Sequence, residues 1–328
     1  LLNTGFVSRR AAISKDLGIQ LYTMAKPLSE DFTGTIKKLA AFGYKNLEFA
    51  GPYYFSPEEE IKNNPLVTFM GLSGYGYHGH TPKEIRMMLD DLGLVSTSAH
   101  ISDNSLKHNI DEAIEAANII GQKYILSPAF MGQTADEYKA AAELYNGFGE
   151  RCKAGGIQYG YHTHNGEFGV HDGRTLFDIL VKETDPELVC FELDLFWAAV
   201  AGVDVVKLVK QYPGRVKLLH IKDIDKKMDE PYTTFDPATG MPMLMQLMKK
   251  QTVIGEGAID FKSILSQVED AGIEQLFIES DFPPEPMKYA EQSAINLKKD
   301  RLRYLTYDYN SRTKKNSPEL KHTSLFSV

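Results

Sequence analysis

The feature that most constrains the fold is a repeated alternation of short apolar runs with longer segments of helical period. Between the runs, apolar residues recur at spacings of three and four, which is typical of amphipathic helices. The runs are Gly18–Thr23, Asn46–Phe49, Val95–His100, Tyr124–Ser127, Gln158–His162, Val189–Leu193, Val216–Ile221 and Gln275–Ser280. Because parallel strands need helical crossovers, eight such units predict a single-domain α/β protein, a (β/α)8 TIM barrel. An open doubly wound sheet is the alternative, but no GxGxxG follows the first strand.

Helix boundary signals support this division of the chain. The segment Thr81-Pro82-Lys83-Glu84 predicts a capping box with proline at the first helical position. Several predicted helices are followed by glycine, the residue that most readily adopts the left-handed conformation at a helix end. These glycines are Gly43, Gly93, Gly121, Gly155 and Gly272. We therefore expect each of them to end a helix with a positive φ.

Domain boundaries follow from where this alternation starts and stops. We assign residues 1–16 to an N-terminal extension, 17–305 to the barrel and 306–328 to a polar C-terminal tail. Two long insertions, Gly51–His80 and Asp223–Gly257, follow the second and seventh strands. Because long loops at strand exits usually shape a substrate mouth, we expect both insertions to line or cap it.

Charge and cysteine content exclude several classes of protein. The chain has 36 Lys and Arg against 44 Asp and Glu, a net charge of −8, which argues against a nucleic-acid partner. No apolar run approaches the roughly 18 residues of a membrane span. Two cysteines, Cys152 and Cys190, are too few for a disulfide framework or a Cys-rich zinc site, and we expect buried thiols. The chain begins at Leu1, so we expect a removed N-terminal segment; a cytoplasmic or periplasmic location and a homo-oligomer both stay open.

Polar residues gather where the predicted strands end, which is where a barrel of this kind places its active site. They are Gln20, Glu48, His100, His162, His164, Asn165, Asp194, Trp197, His220, Lys222 and Glu279. Side chains alternate faces along a strand, so one residue from each of four consecutive strands can point into the mouth. These four are His162, Asp194, His220 and Glu279, and their imidazole and carboxylate groups suit Mn²⁺, Co²⁺, Zn²⁺ or Mg²⁺. The alternative is that each is a hydrogen-bonded polar group at the rim.

Several of these residues lie in segments that resemble a known family. The segments are Ile19–Tyr22, Tyr161–Phe168, Leu193–Trp197, Tyr212–Asp223 and Gly255–Phe261. Together they resemble the sugar phosphate isomerase/epimerase family of the xylose isomerase-like TIM barrel superfamily, over roughly residues 17–305. The same superfamily holds ketose 3-epimerases, inosose dehydratases and endonuclease-IV-type enzymes.

The resemblance implies a ligand set and a chemistry. In ketose 3-epimerases of this family, Glu, Asp, His and Glu from strands five to eight hold one metal ion, and both glutamates move the proton. Asp194, His220 and Glu279 match this pattern, but His162 stands in place of the first glutamate. The resemblance therefore implies His162 as the fourth ligand and, with Glu279, as a catalytic residue. We expect one divalent ion, Mn²⁺ before Co²⁺, Mg²⁺ or Zn²⁺.

The activity expected from the resemblance is that of a metal-dependent sugar isomerase or epimerase, which abstracts a proton alpha to a carbonyl through an enediolate. The alternative is a lyase or dehydratase acting on a keto-sugar or keto-glycoside, and the histidine at position 162 favours it. Less favoured are a non-catalytic sugar-binding barrel and an endonuclease-IV-like nuclease. Substrate contacts are expected from the remaining mouth residues, Gln20, Glu48, His100, His164, Asn165, Trp197 and Lys222. For Trp197, stacking on a sugar ring and a place in the core are equally favoured.

Overall fold

Eight parallel strands close into a barrel in the computed structural model of the chain, which describes residues 16–63, 76–234 and 240–299. The strands are β1 Leu17–Gln20, β2 Tyr44–Ala50, β3 Val95–His100, β4 Tyr124–Ser127, β5 Gln158–His162, β6 Val189–Asp194, β7 Val216–Ile221 and β8 Gln275–Ile278. Each pairs in parallel with the next along the chain, and β8 pairs with β1 to close the ring. The predicted (β/α)8 fold is confirmed.

Helices and two short hairpins connect the strands. The α-helices are Ala25–Glu30, Phe32–Phe42, Glu58–Lys62, Pro82–Leu92, Asp103–Ile120, Ala135–Ala154, Leu176–Glu183, Leu195–Val200, Val205–Gln211, Gly240–Met248, Phe261–Leu265, Val268–Ala271 and residues 286–299. The 3-10 helices are Leu21–Met24 and Gly166–Phe168. The hairpins pair Val170–His171 with Arg174–Thr175 and Asp223–Ile224 with Gln251–Thr252. Among the described helices, none has both the length and the apolar composition that a bilayer crossing requires.

Most of the helix boundary predictions are confirmed. Thr81 and Glu84 form the capping box, with the Glu84 backbone N–H donating to Thr81 Oγ1 at 3.3 Å and the Thr81 N–H donating to Glu84 Oε2 at 2.7 Å. Four of the five glycines have positive φ; they are Gly43, Gly93, Gly121 and Gly272. The prediction for Gly155 is wrong, because its φ is −87°. The residue after it, Gly156, takes the left-handed conformation at φ +80°, so the helix end extends by one residue.

The ends of the first and last strands differ from the prediction. The strand predicted over Gly18–Thr23 stops at Gln20, because Gln20 Oε1 accepts the backbone N–H of Tyr22 at 3.1 Å and the chain turns into a 3-10 helix. At the other end, β8 stops at Ile278, so Glu279 lies just beyond the last paired residue. The hydroxyl of Tyr289 donates to the Glu279 carbonyl at 2.7 Å and fixes the backbone there.

An apolar layer lies on the same strand faces as the predicted site residues of β6, β7 and β8, two or four positions before them. The layer consists of Tyr124, Leu126, Cys190, Leu218 and Phe277, all buried. Because strand side chains repeat every two residues, the residues that follow on β6, β7 and β8 face the same interior. Cys152 and Cys190 are both buried free thiols, as expected. The barrel interior is therefore closed by apolar side chains below a polar upper layer.

The carboxylate of Asp223 holds the second insertion against the barrel. Its Oδ2 accepts the backbone N–H groups of Gly255 and Gly257 at 2.9 and 3.0 Å, and its Oδ1 accepts those of Ile224 and Ile259 at 2.9 and 3.2 Å. A Cβ on Gly257 would lie 2.2 Å from the Ile224 carbonyl oxygen, so only glycine fits at this close approach. This close approach explains the second glycine of the Gly255-Glu256-Gly257 motif.

We expect Asp223→Ala to lower the free energy of unfolding by about 3 kcal/mol, since four backbone N–H groups lose their acceptor and part of them stays buried. Urea unfolding followed by circular dichroism measures the change. Asp225→Ala is the matched control, because that side chain is exposed. Equal losses in the two variants would show that the Asp223 contacts contribute no special stability.

Some predictions fall on residues outside the described ranges. These are the tail over 306–328, nearly all of the N-terminal extension, the middle of the first insertion at 64–75, and residues 235–239 of the second. In the described part of the first insertion, Tyr53 and Phe55 are buried, and Tyr53 stacks on Phe55 with ring centroids 5.1 Å apart.

Candidate metal centre

The four residues predicted as ligands come together at the carboxyl end of the barrel. His162 ends β5, Asp194 ends β6, His220 lies one residue before the end of β7, and Glu279 follows β8. One ligand atom from each lies within 4.8 Å of all the others, and all four residues are buried. We call these four residues the outer set. The closed barrel brings them together from consecutive strands that span more than a hundred residues of sequence.

The distances within the outer set identify the atoms that converge. Asp194 Oδ2 is 3.7 Å from His162 Nε2 and 3.9 Å from His220 Nδ1. Glu279 Oε2 is 2.5 Å from His220 Nδ1. The side chains are oriented by local structure, since Asp194 Oδ1 caps the helix Leu195–Val200 by accepting the Trp197 backbone N–H at 3.0 Å. This leaves Asp194 Oδ2 directed at the two imidazoles.

Three of these converging atoms receive no well-directed hydrogen bond from the described residues, although they are buried: Asp194 Oδ2, His220 Nδ1 and Glu279 Oε2. Buried polar atoms nearly always have partners, because an unsatisfied one costs free energy. A cation among them would satisfy all three. Two carboxylates and two imidazoles are the donors that divalent transition metals accept, so the residues fit one such ion.

Lys222 is the cation that the structure places beside the outer set. Its Nζ lies 3.0 Å from Asp194 Oδ2, 2.7 Å from Glu279 Oε2 and 3.0 Å from Asp281 Oδ2. Asp281 is itself held by the Gln251 side-chain amide at 2.6 Å. Burial would lower the pKa of Lys222, but the three carboxylates hold it well above its ordinary value, so the side chain is an ammonium.

The same charges shift the outer carboxylates in opposite directions. Burial alone would raise the pKa of Glu279, but Lys222 and His220 hold it well below its ordinary value. Burial raises the pKa of Asp194 to about 6, although Lys222 and His220 oppose the rise. The two carboxyl groups are thus electrostatically different, and Glu279 is the one held ionised by its neighbours.

A second group lies directly below and shares both histidines: His100, His162, Glu192 and His220. Glu192 Oε2 is 2.7 Å from His100 Nε2 and 3.0 Å from both His162 Nδ1 and His220 Nε2. Sequence reasoning did not include Glu192 among the site residues. The signal that could have found it is its spacing of two from Asp194, which puts both carboxylates on the same face of β6.

Three residues predicted as substrate contacts also lie in this lower layer: Gln20, Glu48 and His100. Glu48 Oε2 is 2.6 Å from His220 Nε2 and accepts the Gln20 side-chain amide at 2.8 Å. Ser98 donates its hydroxyl to Glu48 Oε1. Gln20 and Glu48 are fully buried, and His100 is 7% exposed. Their polar groups bind one another here, and substrate contact stays a prediction for all three.

The other predicted contacts lie beside the outer set. His164 and Trp197 have ring centroids 5.5 Å apart, and the Lys222 ammonium is 6.0 Å from the Trp197 ring. Burial lowers the pKa of His164 to about 3, with Lys222 adding to the effect, so this imidazole is neutral. Asn165 donates from Nδ2 to the Tyr232 carbonyl at 3.0 Å. Substrate contact stays a prediction for each of these residues.

Trp197 is fully buried under the second insertion. It packs in a small apolar cluster with Phe196, Val200, Ile224 and Leu247, the last from the Met-rich helix Gly240–Met248. Among the residues that the structure describes, none forms a hydrogen bond with the indole Nε1. The core location is therefore what the structure shows for this residue, and the second insertion does lie over the carboxyl end of the barrel.

Comparisons with known proteins agree with the fold. The profile of the family described as xylose isomerase-like TIM barrel matches residues 36–299. Inosose dehydratase of Clostridium perfringens strain 13 is 30% identical over 197 residues, which cover 58% of this chain and 61% of that protein. The chain thus aligns with less than two thirds of that relative's length.

Solved structures extend the likeness over nearly the whole barrel. A sugar phosphate isomerase/epimerase from Parabacteroides distasonis superimposes with a TM-score of 0.64 at 25% identity, covering 90% of this chain and 97% of the other. The IolI protein with a zinc atom superimposes with a TM-score of 0.59 at 15% identity, over 89% of this chain and 98% of the other. At that low identity, the second likeness shows the fold alone.

Proposed function

The chain belongs to the xylose isomerase-like TIM barrel family, and from that premise we propose that it is a divalent-metal-dependent enzyme that removes a proton alpha to a carbonyl of a polyhydroxylated keto compound. The observation that carries the proposal is the convergence of Asp194 Oδ2, His220 Nδ1 and Glu279 Oε2, none of which has a well-directed hydrogen bond among the described residues, in a buried layer. Their donor types support a metal centre, with His162 as the fourth ligand. We propose Mn²⁺ as the ion, before Co²⁺, Mg²⁺ or Zn²⁺.

The chain's own groups supply the remaining chemistry. A bound divalent ion would act as a Lewis acid that makes the alpha C–H of a carbonyl compound more acidic. We assign proton transfer to Glu279, because it is the carboxylate that the resemblance to ketose 3-epimerases implies for this step and it lies in the outer set. The Lys222 ammonium, 2.7 Å from Glu279, is placed to neutralise an oxyanion or to protonate a departing oxygen. Burial of the whole layer excludes competing water.

The asymmetry of the site favours elimination over epimerisation. Epimerisation needs an acid–base group on each face of the carbon. Glu279 is paired with Lys222 at 2.7 Å, whereas His162, as a metal ligand with Nδ1 facing Glu192 at 3.0 Å, would keep no free nitrogen for a second proton transfer. Burial and the neighbouring His220 lower the pKa of His162 well below its ordinary value. In the elimination, the alpha C–H bond breaks and its proton goes to Glu279, while its electron pair forms a C=C bond. The beta C–O bond breaks, and the departing oxygen is protonated to leave as water or, from a keto-glycoside, as the aglycone alcohol.

The curated relative favours the same branch, since it is named for a dehydration. We therefore propose a lyase or dehydratase acting on a keto-sugar, an inosose or a keto-glycoside. Isomerase or epimerase activity is the second candidate, and the Parabacteroides distasonis structure, covered over 97% of its length, favours it. A non-catalytic sugar-binding barrel and a nuclease have no such support.

The proposal is tested with Mn²⁺-loaded protein in D₂O and a panel of an inosose, a ketose and a 3-keto-glycoside, followed by proton NMR. We expect deuterium at the alpha carbon of at least one compound and release of the beta oxygen, both stopped by EDTA. Deuterium incorporation with an isomeric product, and no loss of oxygen, would assign the second candidate. Absence of exchange in every compound would contradict proton abstraction.

Lys222→Met separates the role of the ammonium from that of the ligands. We expect kcat to fall about 100-fold, as when an oxyanion donor is removed. Metal affinity should stay equal or rise, because the ammonium no longer competes for Asp194 and Glu279. Titration calorimetry and steady-state kinetics measure the two effects. Lys217→Met is the matched control, because Lys217 lies on β7, the strand that Lys222 follows, and pairs with Glu274 at 3.2 Å. Loss of metal binding in Lys222→Met would contradict this role.

A further inference from the structure

His162 and His220 belong to both the outer set and the lower group. Each directs one ring nitrogen toward the outer set and the other toward a buried carboxylate. In His162, Nε2 faces Asp194 at 3.7 Å and Nδ1 faces Glu192 at 3.0 Å. In His220, Nδ1 faces Glu279 at 2.5 Å and Nε2 faces Glu48 at 2.6 Å. The two rings thus use opposite nitrogens toward the same centre.

We propose that Glu48 and Glu192 form a positioning pair, in which Glu192 fixes the Nδ1–H form of His162 and Glu48 fixes the Nε2–H form of His220, so that the other nitrogen of each ring is presented to the metal. This inference rests on the proposed metal centre. It assigns no contact with the reacting atoms to either glutamate.

The chemical reason is that an ionised carboxylate can only accept hydrogen bonds. A ring nitrogen that faces Glu192 or Glu48 therefore carries a proton. On the outer side the facing oxygen belongs to Asp194 or Glu279, which would itself bind the ion, so an ion in the outer set would leave the outer nitrogen of each ring deprotonated with its lone pair free. A carboxylate behind a ligating histidine also holds the ring plane and increases its basicity. Here the two carboxylates select different nitrogens of the two rings, as the strand geometry requires.

The pair is itself held in place from below. Glu48 accepts hydrogen bonds from the Gln20 amide at 2.8 Å and from the Ser98 hydroxyl. Glu192 Oε2 faces His100 Nε2 at 2.7 Å. Both glutamates are fully buried, so their orientation is set by these contacts and not by solvent.

The lower group of His100, His162, Glu192 and His220 is better described as a layer that positions the ligands than as a second metal site. The His100, His162 and His220 nitrogens on this side have hydrogen-bonded carboxylate partners at 2.6 to 3.0 Å. The outer atoms Asp194 Oδ2, His220 Nδ1 and Glu279 Oε2 have ion-pair neighbours but no well-directed hydrogen bond among the described residues. An ion in the inner layer would have to break three hydrogen bonds, whereas an ion in the outer set breaks none of them.

The test is nitrogen-15 NMR of histidine-labelled protein at neutral pH, with the His162 and His220 signals assigned by their absence in His162→Ala and His220→Ala. In the Zn²⁺-loaded wild type we expect the ring proton of His162 on Nδ1 and that of His220 on Nε2. The opposite assignment of either ring overturns that half of the proposal. This measurement needs no glutamate variant, so it decides the matter even where a variant fails to fold.

Glu192→Gln and Glu48→Gln supply the second readout. A glutamine amide can donate as well as accept, so we expect the ring proton of the facing histidine to redistribute between its two nitrogens. We also expect Zn²⁺ affinity, measured by titration calorimetry, to fall about 10-fold to 100-fold in each variant. Glu274→Gln is the matched control, because Glu274 accepts from the Tyr124 hydroxyl at the opposite end of the barrel, and its affinity should change less than twofold.

Unchanged tautomers and affinity in both glutamate variants would overturn the proposal. A wild type that binds no Zn²⁺ would contradict the proposed metal centre instead. In that case the His162 proton position in the metal-free protein still tests Glu192, so the two failures are distinguishable.

Discussion

Replacing His220 with alanine should lower the affinity for Mn²⁺ by at least about 100-fold. This loss is larger than the one expected when a carboxylate behind a ligating histidine is removed. His220 contributes the central nitrogen of the outer set, 2.5 Å from Glu279 Oε2 and 3.9 Å from Asp194 Oδ2. Without it, the two buried carboxylates keep Lys222 beside them, and Asp194 keeps His162, but the central ligand nitrogen is lost. Elemental analysis after dialysis and titration calorimetry give the metal content and the dissociation constant.

His108→Ala is the matched control for this loss, since His108 is exposed on the helix Asp103–Ile120. It should keep the wild-type metal content. Circular dichroism must show that His220→Ala retains its secondary structure. Full metal occupancy in a folded His220→Ala protein would contradict the assignment of His220 as a ligand.

The second large effect is expected at Glu279. Glu279→Gln should slow deuterium exchange at the alpha carbon of a substrate by about three orders of magnitude, the range that a general base contributes. Glutamine keeps the shape of the side chain but has no basic oxygen, and it loses the ion pair with Lys222 at 2.7 Å. Proton NMR in D₂O with Mn²⁺ measures the rate.

Glu256→Gln is the control, because Glu256 is exposed in the loop that Asp223 anchors. Metal content measured in parallel separates the two roles of Glu279. A metal-loaded but inactive Glu279→Gln protein would assign proton transfer, and an inactive protein without metal would assign ligation. Exchange at the wild-type rate would exclude both roles.

The barrel could be predicted from sequence because its signals are local and repeat eight times. Apolar strands, helical periodicity and terminal glycines each follow from residues within about one turn or one strand. The errors occurred where a side chain or a neighbour decided the boundary. Gln20 ends β1 by accepting the Tyr22 N–H, and Gly156 rather than Gly155 takes the left-handed position.

The position of the site could also be predicted, since the carboxyl ends of consecutive strands must meet in a closed barrel. The division of the site into an outer set and a lower layer could not be predicted. Strand parity places Glu192 and Asp194 on one face, but only the packed structure shows that Glu192 lies below the two histidines and Asp194 beside them. The contacts of Lys222 with three carboxylates depend equally on side-chain conformation.

The burial of Trp197 shows why the role of a single residue is hard to predict from sequence. Stacking on a sugar and packing in the core were equally favoured, because both use the same apolar ring. The outcome depends on the Met-rich helix Gly240–Met248, which a long insertion brings over the ring from fifty residues away in the sequence.

The most direct test of the account is anomalous diffraction from a crystal of the wild-type protein soaked in Mn²⁺. We expect one strong anomalous peak, from an ion bound directly to Asp194 Oδ2, His220 Nδ1, Glu279 Oε2 and His162 Nε2. We also expect Lys222 to have moved away from Asp194. A peak among His100, Glu192 and the inner nitrogens of His162 and His220, or no peak at the carboxyl end of the barrel, would contradict it.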